Sequence, residues 1–193
     1  MDLNFAPLEI AYPERQQLIT EARQHLSATE HHMPLVDLEA LCPALCDELK
    51  RTFQSSFFRT RLFITPPKTE TGIHVDGYSW ESGTKWAVNF PVLGCKDTQF
   101  RYYEVDRAQQ QRDRHHRPEM GNSIAMRFPR SAVIRELDWV EISAPTLVRT
   151  NVPHNVFNPN LVPRVILSVR FQRSLETEFE VELKRLQGLG VAK

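Results

Sequence analysis

Three cysteines in 193 residues are too few for a disulfide framework. Cys42 and Cys46 stand four apart where a helix is expected, and no second pair exists to complete a zinc site. Both read as buried apolar residues. Net charge is missing as well: Lys plus Arg equals Asp plus Glu at 24 each. That balance removes the electrostatic case for nucleic acid or an anionic membrane as partner of the whole molecule. No apolar run approaches the length that spans a bilayer. The start, Met1-Asp2-Leu3-Asn4-Phe5-Ala6-Pro7, has neither the basic nor the apolar character of a secretion or transit signal. Internal repeats and long linkers are absent too. The expectation is one cytoplasmic domain over 1–193, with 41% hydrophobic residues to build its core and no mark of oligomeric state.

What is present divides into three stretches: a helical buttress over 1–56, a strand-rich core over 57–173 and a terminal helix over 174–193. Pro13 opens a helical pattern with Leu18, Ile19, Ala22 and Leu26 on one side. A second helix starts near Cys42-Pro43 and carries Leu45, Leu49 and Phe53. From Phe57 the pattern changes to short runs rich in aromatic and β-branched residues, broken by Pro and Gly: 58–65, 71–76, 84–92, 98–105, 123–128, 131–142, 145–150, 154–157 and 163–173. Many short strands imply a barrel or a two-sheet jelly roll, a mainly β fold with flanking helices. After Arg173 a helix is signalled by Ser174 as N-cap, Glu176 and Glu178 in the first turn, Leu175, Phe179, Leu183 and Leu186 on one face, and Gly188 as stop.

The chemistry concentrates in His74-Val75-Asp76, with His154 far downstream and Arg164 ten residues after that. Residues two apart on a strand point the same way, so His74 and Asp76 present an imidazole and a carboxylate to one ion. Two His and one carboxylate on one face of an octahedron, with the opposite face open, suit non-haem Fe(II). Alone the triplet is weak, since chance supplies one in roughly a third of chains of this composition. It gains weight from the second segment, in which Arg164, Ile166 and Ser168 share a face of the strand that follows His154.

With these residues in view, the stretch Thr71–Phe171 resembles the Fe(II)/2-oxoglutarate-dependent oxygenase superfamily, whose fold is the cupin-like double-stranded β-helix. Trp86-Ala87-Val88-Asn89-Phe90-Pro91 looks like the strand after the first ligands in phytanoyl-CoA-dioxygenase-like and phage-type members. Aspartyl/asparaginyl hydroxylases are similar in the His154–Arg164 segment but commonly lack the carboxylate ligand, so Asp76 argues against that branch.

The resemblance implies that His74, Asp76 and His154 hold Fe(II), and that Arg164 pairs with the distal carboxylate of 2-oxoglutarate. A C–H bond of a small metabolite or peptide side chain would be hydroxylated with release of succinate and carbon dioxide. Arg suits the anchoring task because its guanidinium is always charged and forks onto a carboxylate. Arg170, of the same strand parity, is a rival anchor. Ser168 is read equally as a ligand contact and as core filling. Asn89, Tyr102 and Thr150 are further pocket candidates, and Trp80 and Trp86 pack or line the mouth. His31-His32 and His115-His116 are expected at the surface. The polar stretch 107–118 is a solvated excursion or a lid over the site. Two other readings stay open: a catalytically silent β-helix binding module, and a cupin-type metal enzyme that does not use 2-oxoglutarate. Such cupin sites usually bring more ligands close in sequence, and after His74 only Asp76 and the more distant Glu81 follow.

Overall fold

A computed structural model describes residues 3–26, 31, 33–77, 83–112 and 125–193. Two antiparallel sheets face each other. One has the order β1-β10-β5-β12-β2 and the other β7-β8-β4-β11-β6-β9, with β3 beside β11. The first contains β1 (Phe5–Pro7), β2 (Phe57–Thr65), β5 (Trp86–Leu93), β10 (Thr146–Arg149) and β12 (Arg164–Phe171). The second contains β3 (Thr69–Glu70), β4 (Ile73–Asp76), β6 (Gln99–Val105), β7 (Gln111–Arg112), β8 (Ala125–Phe128), β9 (Val133–Val140) and β11 (His154–Asn158).

Strand alternation explains the layering. On β12, Val165, Leu167, Val169 and Phe171 are fully buried on the outer side, where they meet Leu62, Ile64, Trp86, Val88 and Phe90 of neighbouring strands. Against that face pack α1 (Arg15–Gln24) through Leu18 and Ala22, α3 (Pro43–Phe53) through Leu45, Leu49 and Phe53, and α4 (Phe179–Gly188) through Phe179, Leu183 and Leu186. The helices therefore buttress one sheet from outside. A second cluster, with Ala87, Val148 and Ile166 from one sheet and Phe100 and Tyr102 from the other, fills the space between the sheets. No helix among the described residues is long and apolar enough to cross a membrane.

Two features differ from the sequence expectation. The first 56 residues contribute more than helices. Phe5–Pro7 pairs with β10, and the segment around Leu35 bridges to Arg61 on the edge of β2. Both add backbone pairing at sheet edges, where exposed N–H and C=O groups would otherwise remain. The last helix begins at Phe179 rather than just after Ser174. The Ser174 hydroxyl donates to the Phe171 carbonyl (2.6 Å), and Lys85 N–H and Trp86 Nε1 donate to the Ser174 and Thr177 carbonyls. Those bonds hold 172–177 in turns and delay the helix.

Phe53 joins the helical layer to the sheet: its ring stacks on Phe171 (4.3 Å between centroids) and on Trp86 (5.7 Å). Phe53→Ala is expected to cost about 3–5 kcal/mol. Urea unfolding checks this, and the midpoint should fall with little change in slope.

Candidate metal centre

His74 and Asp76 lie on the inner side of β4, opposite to Ile73 and Val75, which belong to an apolar cluster on the far side. His154 opens β11 and is paired directly with His74 across the strands. One ligand atom from each of His74, Asp76 and His154 lies within 4.8 Å of the others. The His74 and His154 rings are 4.5 Å apart, and Asp76 Oδ1 is 3.7 Å from His74 Nε2.

Backbone carbonyls set the tautomers. His74 Nδ1 is 2.9 Å from the Gly72 oxygen and His154 Nδ1 is 2.8 Å from the Val152 oxygen. A carbonyl only accepts, so each Nδ1 carries the hydrogen and each Nε2 keeps its lone pair for a cation. Burial, reinforced by His74, lowers the pKa of His154 to about 4, which keeps its ring neutral near pH 7. Phe100 stacks on that ring at 4.8 Å. Burial alone would raise the Asp76 carboxyl, but Arg170, His154 and His74 outweigh it and hold the group below the ordinary carboxylate range. Asp76 is therefore ionised. Gly83, at φ +108, crosses so near the Asp76 carbonyl that a Cβ there would collide with it.

The two candidate anchors on β12 have different surroundings. Arg170 donates from Nη2 to Asp76 Oδ2 at 2.7 Å, leaving Oδ1 toward His74. Arg164 is 2% exposed and forms neither an ion pair nor a hydrogen bond with any described residue. Burial lowers its pKa to about 10, offset only by Cys95. A guanidinium buried without an anion is costly unless a ligand supplies one. Thr65, buried directly across on β2, adds a hydroxyl to the same face. The sequence reading overlooked it, although its place on the run 58–65 was visible.

Ser168 and Asn89 also face inward, as cross-strand partners on β12 and β5. Asn89 Oδ1 is buried and lacks a hydrogen-bond partner among the described residues. Tyr102 approaches His154, with 6.2 Å between rings, yet its hydroxyl donates to the Asn4 carbonyl at 2.8 Å. It ties β6 to the strand β1 region rather than offering its hydroxyl to a ligand. Thr150 is bound to the Thr84 carbonyl, and Trp86 lies in the outer apolar layer.

His31 departs from expectation. It is half-buried rather than exposed, and its Nδ1 meets the Ile64 carbonyl at 3.2 Å. Cys42, Cys46 and Cys95 are buried free thiols. Residues 107–109 form a short 3-10 turn and 111–112 a strand. Residues 113–118 of that excursion, His115 and His116 included, lie outside the described residues, as do His32, Trp80 and Glu81.

No family model matches this sequence, and no curated protein matches it. Solved structures do. The epimerase SnoN from nogalamycin biosynthesis, in complex with Fe3+, alpha ketoglutarate and nogalamycin RO, is 16% identical, with 86% of this chain and 76% of that one covered at a TM-score of 0.50. The chain has the double-stranded β-helix fold. A Pseudomonas putida prolyl-4-hydroxylase is 11% identical over 88% of this chain and 93% of its own, at 0.45. The apo non-heme monooxygenase ThoJ is 14% identical over 86% and 72%, at 0.46.

The neutral, buried His154 carries a pH signature. Its pKa is lowered from 6.5 to about 4 in the fold, so between those values the unfolded chain binds more protons. Metal-free protein should lose stability as pH falls from about 6.5 toward about 4, and His154→Gln should flatten that slope. Thermal unfolding across this range measures it.

Proposed function

We propose that the protein is a non-haem Fe(II)- and 2-oxoglutarate-dependent dioxygenase acting on a C–H bond of a small metabolite or peptide side chain. One observation carries the reading. The His74, Asp76 and His154 cluster lies on the inner side of one sheet, and the facing sheet carries on β12 Arg164, a buried guanidinium with no anionic partner among the described residues. The rival readings, a silent binding scaffold and a cupin-type enzyme independent of 2-oxoglutarate, would each need some other anion to meet Arg164.

The donor set fits the metal. Two imidazole nitrogens and one carboxylate oxygen suit a ferrous ion and leave part of its coordination sphere to other ligands. One carboxylate against a divalent cation also leaves positive charge for an anionic co-substrate. When bound, iron with 2-oxoglutarate supplies oxidation by dioxygen, coupled to decarboxylation to succinate.

The chain's residues bind and orient. His74 and His154 offer Nε2 because Gly72 and Val152 hold their Nδ1–H groups. Asp76 offers Oδ1 while Arg170 retains Oδ2. Arg164 takes the distal carboxylate of the co-substrate, with the Thr65 hydroxyl beside it and Ser168 further along the same face. Phe100 and the apolar residues between the sheets keep bulk water from His154. Three buried free thiols and a ferrous ion both suit a reducing, cytoplasmic setting.

Anaerobic addition of Fe(II) and then 2-oxoglutarate should produce a weak visible charge-transfer band, and oxygen should then release succinate. His154→Ala should abolish both signals. Arg164→Ala should weaken 2-oxoglutarate about tenfold or more while sparing iron, as loss of a charged hydrogen-bond partner predicts. No band with the unaltered protein sinks the proposal, and unchanged 2-oxoglutarate affinity in Arg164→Ala passes the anchor to Arg170.

A further inference from the structure

The segment before α2 (Leu38–Leu41) lies along the free edge of β2. Leu62 N–H donates to the Pro34 carbonyl and Val36 N–H to the Thr60 carbonyl, each at 3.1 Å, and Leu35 bridges to Arg61. Two side chains reinforce the seam: Thr60 Oγ1 donates to the Val36 carbonyl and Arg61 Nη1 to the Met33 carbonyl. Antiparallel continuation of this pairing brings His31 level with Thr65, which is the cross-strand partner of Arg164. Direct contact agrees, because His31 Nδ1 meets the Ile64 carbonyl at 3.2 Å. His74, Arg164 and Arg127 are its charged or titratable neighbours.

The chemistry of the ring is then fixed. The Ile64 carbonyl accepts, so Nδ1 carries the hydrogen and the neutral ring has a lone pair at Nε2. Burial, with positive neighbours, favours that neutral form. Nε2 is buried and has no hydrogen-bond partner among the described residues. A buried polar atom of this kind ordinarily finds a partner in protein, water or ligand.

We propose that His31 is a binding residue of the Arg164 pocket, where Nε2 accepts a hydrogen bond from a water molecule that in turn donates to the carboxylate held by Arg164. This rests on the dioxygenase reading for the identity of the anion. A bare carboxylate has no hydrogen to give a neutral imidazole, whereas a bridging water has two. Such a bridge is enthalpically close to a direct bond. The pocket thus has three walls: Arg164 on β12, Thr65 on β2, and His31 on a strap that the β-helix itself does not supply.

The test uses the full chain, loaded anaerobically with Fe(II) and titrated with 2-oxoglutarate while the charge-transfer band is followed. His31→Phe keeps a flat ring and removes the acceptor; His31→Gln keeps an acceptor. The expected result is that His31→Phe weakens 2-oxoglutarate about three- to tenfold, with iron affinity unchanged. His31→Gln should stay near the unaltered protein. Equal affinity in His31→Phe overturns the proposal. So does equal weakening in both variants, which would make the ring shape rather than Nε2 responsible. Parallel loss of iron affinity and thermal stability also overturns it, because His31 would then be a packing strut. If the unaltered protein binds no 2-oxoglutarate, the dioxygenase reading fails first and takes this proposal with it.

Discussion

The pairing of His154 with His74 across β11 and β4 is the constraint on which the centre depends. Side chains alternate along a strand, so a slip of one residue would turn His154 outward and bring Asn155 in. The register is held from the other side of β11. Asn155 donates to Glu70 Oε1 at 2.7 Å and to the Thr71 carbonyl, while its Oδ1 accepts from the Tyr103 hydroxyl. Val156 N–H donates to Thr71 Oγ1 at 2.8 Å. The polar outer network and the inward His154 are thus alternate residues of one strand, and the first orients the second.

The arginines of β12 show how a partner decides a role. Arg164 and Arg170 have the same parity and chemistry, and both are well shielded from solvent. Arg170 has Asp76 within 2.7 Å, so its charge is balanced inside the fold and it steers which carboxylate oxygen remains available. Arg164 has no carboxylate to meet. Leaving a buried cation uncompensated works against folding, and such a group persists where a ligand completes it. Identical residue types six apart therefore serve different ends, and only the position of one aspartate separates them.

Much of this was legible along the chain because it is written within single strands. His74 and Asp76, and Arg164, Ser168 and Arg170, announce their common faces by parity, and the strand-rich middle with helices at both ends follows from periodicity. What sequence could not supply are meetings between remote segments. His31 looked like a surface residue because nothing near it in the chain shows that Ile64 will accept from its ring. Thr65 was seen only as part of a strand, since its value comes from standing opposite Arg164. Tyr102 had a plausible parity for the pocket, but its hydroxyl is claimed by Asn4, 98 positions away. The late start of α4 has the same origin: Lys85 and Trp86 hold the preceding turns from across the fold.

The strand β12 also separates stability from chemistry by parity. Its outward residues Val165, Leu167, Val169 and Phe171 are fully buried against a helical layer, and burial of that kind is worth roughly 1.5–3 kcal/mol for each large side chain. Beside Ile166, which packs between the sheets, its inward residues bring two guanidiniums and a hydroxyl, and the Arg164 guanidinium opposes folding. An apolar outer layer of this depth lets the inner face hold a buried, unbalanced charge without losing the fold. The strained electrostatics of the pocket and the ordinary packing behind it are consequences of the same two-residue repeat.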